Sequence, residues 1–202
     1  MIRWMARVLA FGIAAAVILP TGYGAVHGAP VTERVETVRV WEVPEPSPEP
    51  AESFLTVTPS GNVYSDEVPM SYGYQAAMQD ACRKWDVNYT IALGIAEVES
   101  QFDFEADSGL AWGLMQINPI NYDWLLSEGI DATTYSGNIE AGVYMFRQLL
   151  DKYHDTHKAL MAYNCGEYGA SLLWDEGYEQ SAYSRAVMEA ASRWGWIVSK
   201  AG

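Results

Sequence analysis

Residues 88–102 read NYTIALGIAEVESQF, and this stretch decides the fold class. Small and apolar residues recur in it at helical spacing, and Asn88 lies where helices favour an N-cap. The stretch therefore predicts a helix with one face suited to close packing against other helices. Alternating strand patterns are almost absent from the chain, so we expect a mostly α domain built around this helix.

Further helices are predicted on both sides of it from apolar residues spaced three and four apart. They cover residues 72–85, 138–155, 157–165 and 183–197. Residues 103–120 are rich in Gly, Ser, Asp and Asn, which favours loops and turns with one short helix at most. Gly166 and Gly177 lie where helices are expected to stop. The chemistry is thus expected on a buried helix and on the loop that follows it.

The N-terminal residues differ in composition from this helical part. Arg3 and Arg7 precede the uncharged run VLAFGIAAAVIL at residues 8–19, which is the pattern of an export signal. Because a full span needs about 20 apolar residues, both a cleaved signal peptide and a retained membrane anchor remain open for residues 1–29.

A spacer is predicted between this segment and the helices. Residues 30–70 repeat Pro and Glu, as in VPEPSPEPAE, which favours extended chain with at most a weak strand near residues 56–63. One folded domain is expected over residues 71–202, outside the cytoplasm and either anchored or secreted.

The composition limits the partners of this domain. The formal net charge is −14, which argues against nucleic acid and against electrostatic docking onto an anionic membrane. A neutral or cationic target fits better, as does a polymer held by hydrogen bonds and stacking. The 8 Trp and 13 Tyr residues supply rings for sugar stacking, although most are expected in the core.

No metal site and no cofactor are predicted. Cys82 and Cys165 lie in neither a CxxC nor a His-rich spacing. In an exported chain they could form one disulfide, and two separate buried thiols are the alternative. His154 and His157 are three residues apart on a predicted helix, and we expect both at the surface.

Two acids lie on the decisive helix, and only one of them suits chemistry. Glu97 and Glu99 point about 200° apart and cannot share one site. Glu99 shares its face with Ala92 and Ala96, so desolvation is expected to raise its pKa, whereas Glu97 is expected on a more open face. A carboxyl group that stays protonated near neutral pH can act as a general acid at a glycosidic oxygen.

A series of motifs in fixed order begins at Glu99. The motifs are Glu99-Ser100-Gln101-Phe102, Ser108, Gly113-Leu114-Met115-Gln116-Ile117-Asn118-Pro119, Asn138-Ile139 with Gly142, Ala162-Tyr163-Asn164-Cys165-Gly166, and Tyr183 with Val187. Over about residues 74–190 this series resembles the lytic transglycosylases, bacterial relatives of goose-type lysozyme. The resemblance implies a lysozyme-like helical domain with a glycan groove beside a buried catalytic helix.

The resemblance also implies an activity and its residues. Glu99 would be the catalytic acid/base that cuts peptidoglycan between N-acetylmuramic acid and N-acetylglucosamine, leaving a 1,6-anhydro end without water or metal. Tyr163 would hold Glu99 or the acetamido group of the substrate. Such enzymes remodel the wall or open it for a secretion or conjugation apparatus. The residues assigned to the glycan groove lie in the loop and helix motifs: Ser108, Met115, Gln116, Asn118, Tyr163 and Asn164.

Two other functions stay open at this point. A muramidase that uses water would need a second carboxylate, for which Asp107 is the candidate. A non-catalytic wall-binding or assembly module is the third reading, and the intact set of Glu99, Gln116 and Tyr163 speaks against it. The chain also departs from the family pattern before the loop motif, where it is one residue shorter and carries a bulky Trp112, so the groove's shape is not predicted there.

Overall fold

A computed structural model of the protein describes residues 62–201. The predicted targeting segment at 1–29 and the predicted spacer up to residue 61, with most of the weak strand near 56–63, lie outside the described residues. Within them, no helix is both long and apolar enough to cross a bilayer.

The described part is mostly helical, as expected. Its α-helices are α1 (Tyr72–Trp85), α2 (Tyr89–Ser100), α3 (Tyr122–Ser127), α4 (Tyr135–Tyr153), α5 (Thr156–Asp175) and α6 (Ala182–Ala201). A 3-10 turn at Pro119–Asn121 leads into α3. Between residues 62 and 201, β-pairing is limited to isolated bridges that join Trp112 to Asp107 and to Ile117.

Side-chain caps explain where four of these helices begin. Ser71, Asn88, Thr134 and Asp155 each accept a hydrogen bond from a backbone N–H in the first turn of α1, α2, α4 and α5. The N-cap predicted at Asn88 is therefore confirmed. At the other end α2 stops two residues earlier than predicted, because Gln101 turns left-handed with φ 54°.

Two helical segments were not predicted. The helix α3 has six residues and buries only Leu125, so it is too short to show a helical period. The helix α5 runs past its predicted end at residue 165, but Gly166 interrupts it with φ 79° and ψ 157°. That backbone conformation is accessible essentially to glycine alone, so the predicted break is present and a second helical segment follows it.

The helix α2 carries the centre of the core. Ala92, Leu93, Ile95 and Ala96 are fully buried. The helix packs on α6 and α1, while α4 packs on α1 and α5, and α5 also packs on α6. This arrangement places the end of α2 among helices that are distant in sequence.

Glu97 keeps 30% of its side-chain surface exposed, but it also makes a contact with α6 that the sequence did not predict. Arg193 Nη2 donates to Glu97 Oε1, and Trp194 Nε1 donates to Glu97 Oε2 at 2.7 Å. Both donors lie on α6. Glu97 therefore joins α2 to α6, because that face of α2 meets a helix about a hundred residues away in the chain.

The predicted spacer ends in packed structure rather than in extended, solvated chain. We call residues 62–70 the strap. Gln79 exchanges two hydrogen bonds with the backbone of Val63 (2.9 and 2.8 Å), and Gln75 exchanges two with the backbone of Ser65 (3.1 and 2.9 Å). The packed part of the chain thus begins before Ser71, and two apolar side chains of the strap are buried, Val68 and Met70.

The cysteines are two separate thiols, so the disulfide alternative is wrong. Cys82 lies buried on α1, and Cys165 lies half-buried on α5. The thiol of Cys165 donates to Met161 O at 3.1 Å within its own helix. The helix α1 packs on α2 and α4, whereas α5 packs on α4 and α6.

The histidines differ from each other. His154 is exposed, as expected, and forms the C-cap of α4. His157 is only half-exposed, and its Nδ1 lies 3.0 Å from Ser184 Oγ on α6. This contact between α5 and α6 was not predicted.

Candidate active site

Glu99 lies in the last turn of α2, where its side chain is largely enclosed by protein but keeps some exposure to solvent. Desolvation by burial raises the pKa of Glu99 to about 7. Tyr183 Oη donates a hydrogen bond to Glu99 Oε1 at 2.6 Å, and this contact lowers the pKa. Burial is the larger of the two effects. The carboxyl group is therefore poised to be both donor and acceptor of a proton near neutral pH.

Two tyrosines lie near this carboxyl group, the buried Tyr163 and the half-buried Tyr183. Burial and the nearby Glu99 raise the pKa of both Tyr163 and Tyr183 well above its ordinary value, so both phenols stay protonated and can donate. Tyr163 Oη donates to the carbonyl of Met115 at 2.9 Å. The hydrogen bond to Glu99 comes instead from Tyr183, which the sequence placed in a motif but not in the site.

The turn at residues 112–116 is hydrogen-bonded to Ser100, the residue that follows Glu99. Four successive carbonyl oxygens of this turn each accept a hydrogen bond from a side chain, and those of Trp112 and Gly113 also accept from backbone N–H groups. The pairs are Asn138 Nδ2 to Trp112 O (2.9 Å), Gln116 Nε2 to Gly113 O (2.9 Å), Ser100 Oγ to Leu114 O (2.8 Å) and Tyr163 Oη to Met115 O (2.9 Å). Side chains from α2, α4 and α5 thus converge on one turn.

Two glycines allow the turn to approach α4. A Cβ at Gly113 would lie 2.7 Å from Asn138 Nδ2, and a Cβ at Gly142 would lie 2.6 Å from Met115 Cβ. Real Cβ atoms do not approach other atoms so closely, so these positions require glycine for space.

The predicted glycan-binding residues of this turn are mostly engaged within the protein. Met115 is fully buried against α4. Gln116 is also buried, and its Nε2 donates to Ala106 O as well as to Gly113 O. Both side chains therefore shape the loop and offer little exposed surface to a ligand.

The remaining predicted groove residues are at least partly exposed. Ser108 is exposed and exchanges hydrogen bonds with Ala111 in a tight turn. Asn118 is half-buried and caps the 3-10 turn by accepting from Ile120 N at 3.0 Å. Asn164 is half-buried and follows Tyr163 on α5.

Two acids of the loop before the turn make local hydrogen bonds. Asp107 is exposed, and its Oδ1 accepts from Gly109 N at 2.7 Å. Glu105 accepts a hydrogen bond from the Tyr135 hydroxyl. Across the described residues, no group of three or more His, Cys, Asp or Glu side chains is arranged to hold a metal ion.

The bulky Trp112 packs inside the protein. Its ring is buried and stacks on Tyr135, with 5.9 Å between the ring centroids. Phe104 and Tyr74 extend this aromatic cluster toward α1, at 5.3 Å from Tyr135 to Phe104 and 4.5 Å from Phe104 to Tyr74. Trp112, which departs from the family pattern, therefore joins the loop to α1 and α4 through this cluster.

Comparisons with known proteins agree with this geometry. The sequence model of the family described as "Transglycosylase SLT domain" matches residues 76–182. A search of curated proteins found no match. Among solved structures, an inactive mutant of the lytic transglycosylase Slt from Pseudomonas aeruginosa matches with a TM-score of 0.57 at 19% sequence identity. The match covers 67% of this chain and 25% of that one, so this chain corresponds to about a quarter of that protein and shares the fold of that part.

Proposed function

The chain belongs to the transglycosylase SLT domain family, and on that premise we propose that it is a lytic transglycosylase that cuts the glycan strands of peptidoglycan. The observation that carries the proposal is the state of Glu99. It is a single, largely enclosed carboxyl group whose pKa lies at about 7 beside a phenol donor.

Such a carboxyl group suits a reaction in which one residue first gives and then takes a proton. Protonated Glu99 donates to the oxygen that links N-acetylmuramic acid to N-acetylglucosamine, and the bond from that oxygen to C1 of the muramic acid breaks. The carbonyl oxygen of the substrate's own acetamido group attacks C1 and takes up the positive charge. Ionised Glu99 then removes the proton of the C6 hydroxyl, whose oxygen displaces the acetamido oxygen and closes the 1,6-anhydro ring.

The two tyrosines have different roles in this reaction. The hydrogen bond from Tyr183 stabilises the ionised form of Glu99, which is the form that must exist between the two proton transfers. Tyr163 holds the Met115 carbonyl, so that the turn at residues 112–116 forms a fixed wall next to the reacting sugar.

The cellular setting is part of the proposal. The export-signal pattern of residues 1–29 supports a location outside the cytoplasm, either anchored in the membrane or secreted. Peptidoglycan is reached there, and the enzyme would remodel the wall or open it for a secretion or conjugation apparatus.

A digest of purified peptidoglycan by the full-length chain tests the reaction. We expect products that end in 1,6-anhydro-muramic acid, one water lighter than hydrolytic products by mass spectrometry. Reducing ends would show a hydrolase, and the search for its second carboxylate would start at Asp107. The absence of products from several wall types would favour a non-catalytic binding module.

The variant Glu99→Gln tests the site. We expect it to lose about 10²–10⁴-fold or more of the activity while folding and glycan binding persist, since amide and carboxyl have nearly the same shape. Glu189→Gln, at an exposed position of α6, is the matched control and should keep full activity. Cleavage that survives in Glu99→Gln would refute the assignment of the catalytic residue.

A further inference from the structure

Asn138 is a buried polar side chain that the reaction itself does not use. It lies in the first turns of α4 and is 1% exposed. Its Oδ1 accepts from Met115 N at 2.9 Å, and its Nδ2 donates to Trp112 O at 2.9 Å. One amide therefore spans the two ends of the turn that stands next to Glu99.

The hydrogen bonds of Asn138 determine which side chain can occupy this position. One end must accept and the other must donate, and a neutral amide does both. A carboxylate could accept from Met115 N, but its second oxygen would face the Trp112 carbonyl oxygen with no proton between them. The close approach of Gly113, whose added Cβ would lie 2.7 Å from Asn138 Nδ2, leaves no room for the turn to relax.

On the proposed function, the turn at residues 112–116 is the part of the loop that lies along the glycan. Tyr163 Oη donates to the carbonyl of Met115, and Ser100 Oγ donates to the carbonyl of Leu114. Ser100 directly follows Glu99. Displacing the turn would thus move atoms around Glu99 while the hydrogen bond from Tyr183 still held the carboxyl group itself.

We propose that Asn138 is a positioning residue for glycan binding, which sets the turn at residues 112–116 against the catalytic helix through both ends of its amide. This inference rests on the proposed function. It separates two tasks in the site: Tyr183 positions the proton donor, and Asn138 positions the surface on which the glycan lies.

The test compares Asn138→Asp and Asn138→Ala in the full-length chain on soluble, uncross-linked peptidoglycan strands. At pH 8 both variants should raise KM about tenfold, with kcat within about threefold of the parent, because each loses at least one hydrogen bond of the turn. At pH 5 the aspartic acid is protonated and can donate to Trp112 O again, so its KM should return to about the parent value. Asn138→Ala has no proton to regain, and its KM should stay raised at both pH values.

A merely structural role predicts a different pattern. Partial unfolding lowers the fraction of active enzyme, which lowers kcat and leaves KM unchanged. Gln79→Glu is the matched control, since it changes another buried amide to an acid, but on α1 against the strap. Gln79→Glu should lower kcat and leave KM unchanged. The same result in Asn138→Asp would overturn the proposal. So would an Asn138→Asp whose KM equals that of the parent at both pH values.

Two further measurements test the proposal if a variant does not fold or if the parent is inactive. Should Asn138→Asp fail to fold, the neutral and smaller Asn138→Ser carries the KM test at pH 8. Should the parent cleave nothing, the proposed function fails on its own, and the dissociation constants of the same strands replace KM. Unchanged dissociation constants in the Asn138 variants would then overturn the positioning role separately.

Discussion

At the scale of single residues, two opposing effects set the protonation of Glu99. Enclosure by the core removes water from the carboxylate and raises the pKa to about 7, while the hydrogen bond from Tyr183 favours the charged form. Without the phenol the pKa of Glu99 would be higher still, so the carboxylate would be a stronger base and the protonated group a weaker acid for the first proton transfer. The pair therefore works as a unit, with the donor supplied from a helix 84 positions along the chain.

Replacement of this donor should move the pH dependence of cleavage in a defined direction. A general acid is active while protonated, so activity is lost as the pH rises through the pKa of Glu99. In Tyr183→Phe the pKa rises further, and the alkaline limb of kcat/KM against pH should move up by about one unit. The measurement is a pH–rate profile from pH 5 to 9.

The exposed Tyr178 provides a control for this prediction. Tyr178→Phe should leave the alkaline limb where it is in the parent. If the alkaline limb of kcat/KM stays in place or moves to lower pH in Tyr183→Phe, the hydrogen bond from Tyr183 does not lower the pKa of Glu99 as stated.

At the scale of elements, the contact between α2 and α6 holds the site together. The helix α2 carries Glu99, and α6 carries Tyr183, so the distance between the two helices sets the hydrogen bond between them. The two helices approach closely at Gly94, where a Cβ would lie 2.6 Å from the carbonyl oxygen of Val187. Glu97 clamps the same pair of helices through its two donors on α6.

Filling this contact should destabilise the protein. We expect Gly94→Ala to lower the free energy of unfolding by about 1–3 kcal/mol, because the helix backbone of α6 must move to admit one methyl group. The change in urea denaturation midpoint at constant slope measures it. Activity should fall as well, since α6 carries Tyr183.

A second glycine of the same helix pair provides the contrast. A Cβ at Gly195 would meet only Thr90 Cγ2, at an ordinary 3.9 Å. Gly195→Ala should therefore be neutral or stabilise by up to about 1 kcal/mol through helix propensity. Equal destabilisation by the two alanines would mean that the close approach at Gly94 is not what matters.

At the scale of the whole molecule, the folded unit includes more of the chain than its helices. The strap pairs its backbone with Gln75 and Gln79 of α1 and buries Val68 and Met70. Its removal would expose apolar surface of the core and remove the strap's hydrogen bonds to two buried amides. Residues that connect the domain to a membrane would therefore join it beside α1, where the strap begins.

Truncation measures the contribution of the strap. Residues 71–202 should unfold at a lower temperature than residues 62–202, by roughly 10 °C, since two buried apolar side chains each stabilise by about 1.5–3 kcal/mol. Circular dichroism of the two fragments gives both Tm values. Identical Tm values would show that the strap only rests on the surface.

Much of the local structure follows from the sequence alone. The period of residues 88–102 predicts α2, Asn88 predicts its cap, and the shared face of Glu99 with Ala92 and Ala96 predicts a desolvated carboxyl group. The motif series from Glu99 to Tyr183 indicates the family. These features depend on residues within about two helical turns of each other, or on short motifs, so they can be read along the chain.

Only the tertiary structure decides what each face meets. It assigns Tyr183 rather than Tyr163 as the donor to Glu99, places α6 against Glu97, directs Trp112 into an aromatic cluster and keeps Cys82 apart from Cys165. Periodicity fixes the angle at which a side chain leaves its helix, but not the identity of the atoms that lie there. Those atoms come from segments up to about a hundred residues away, and their positions depend on how every helix packs on its neighbours.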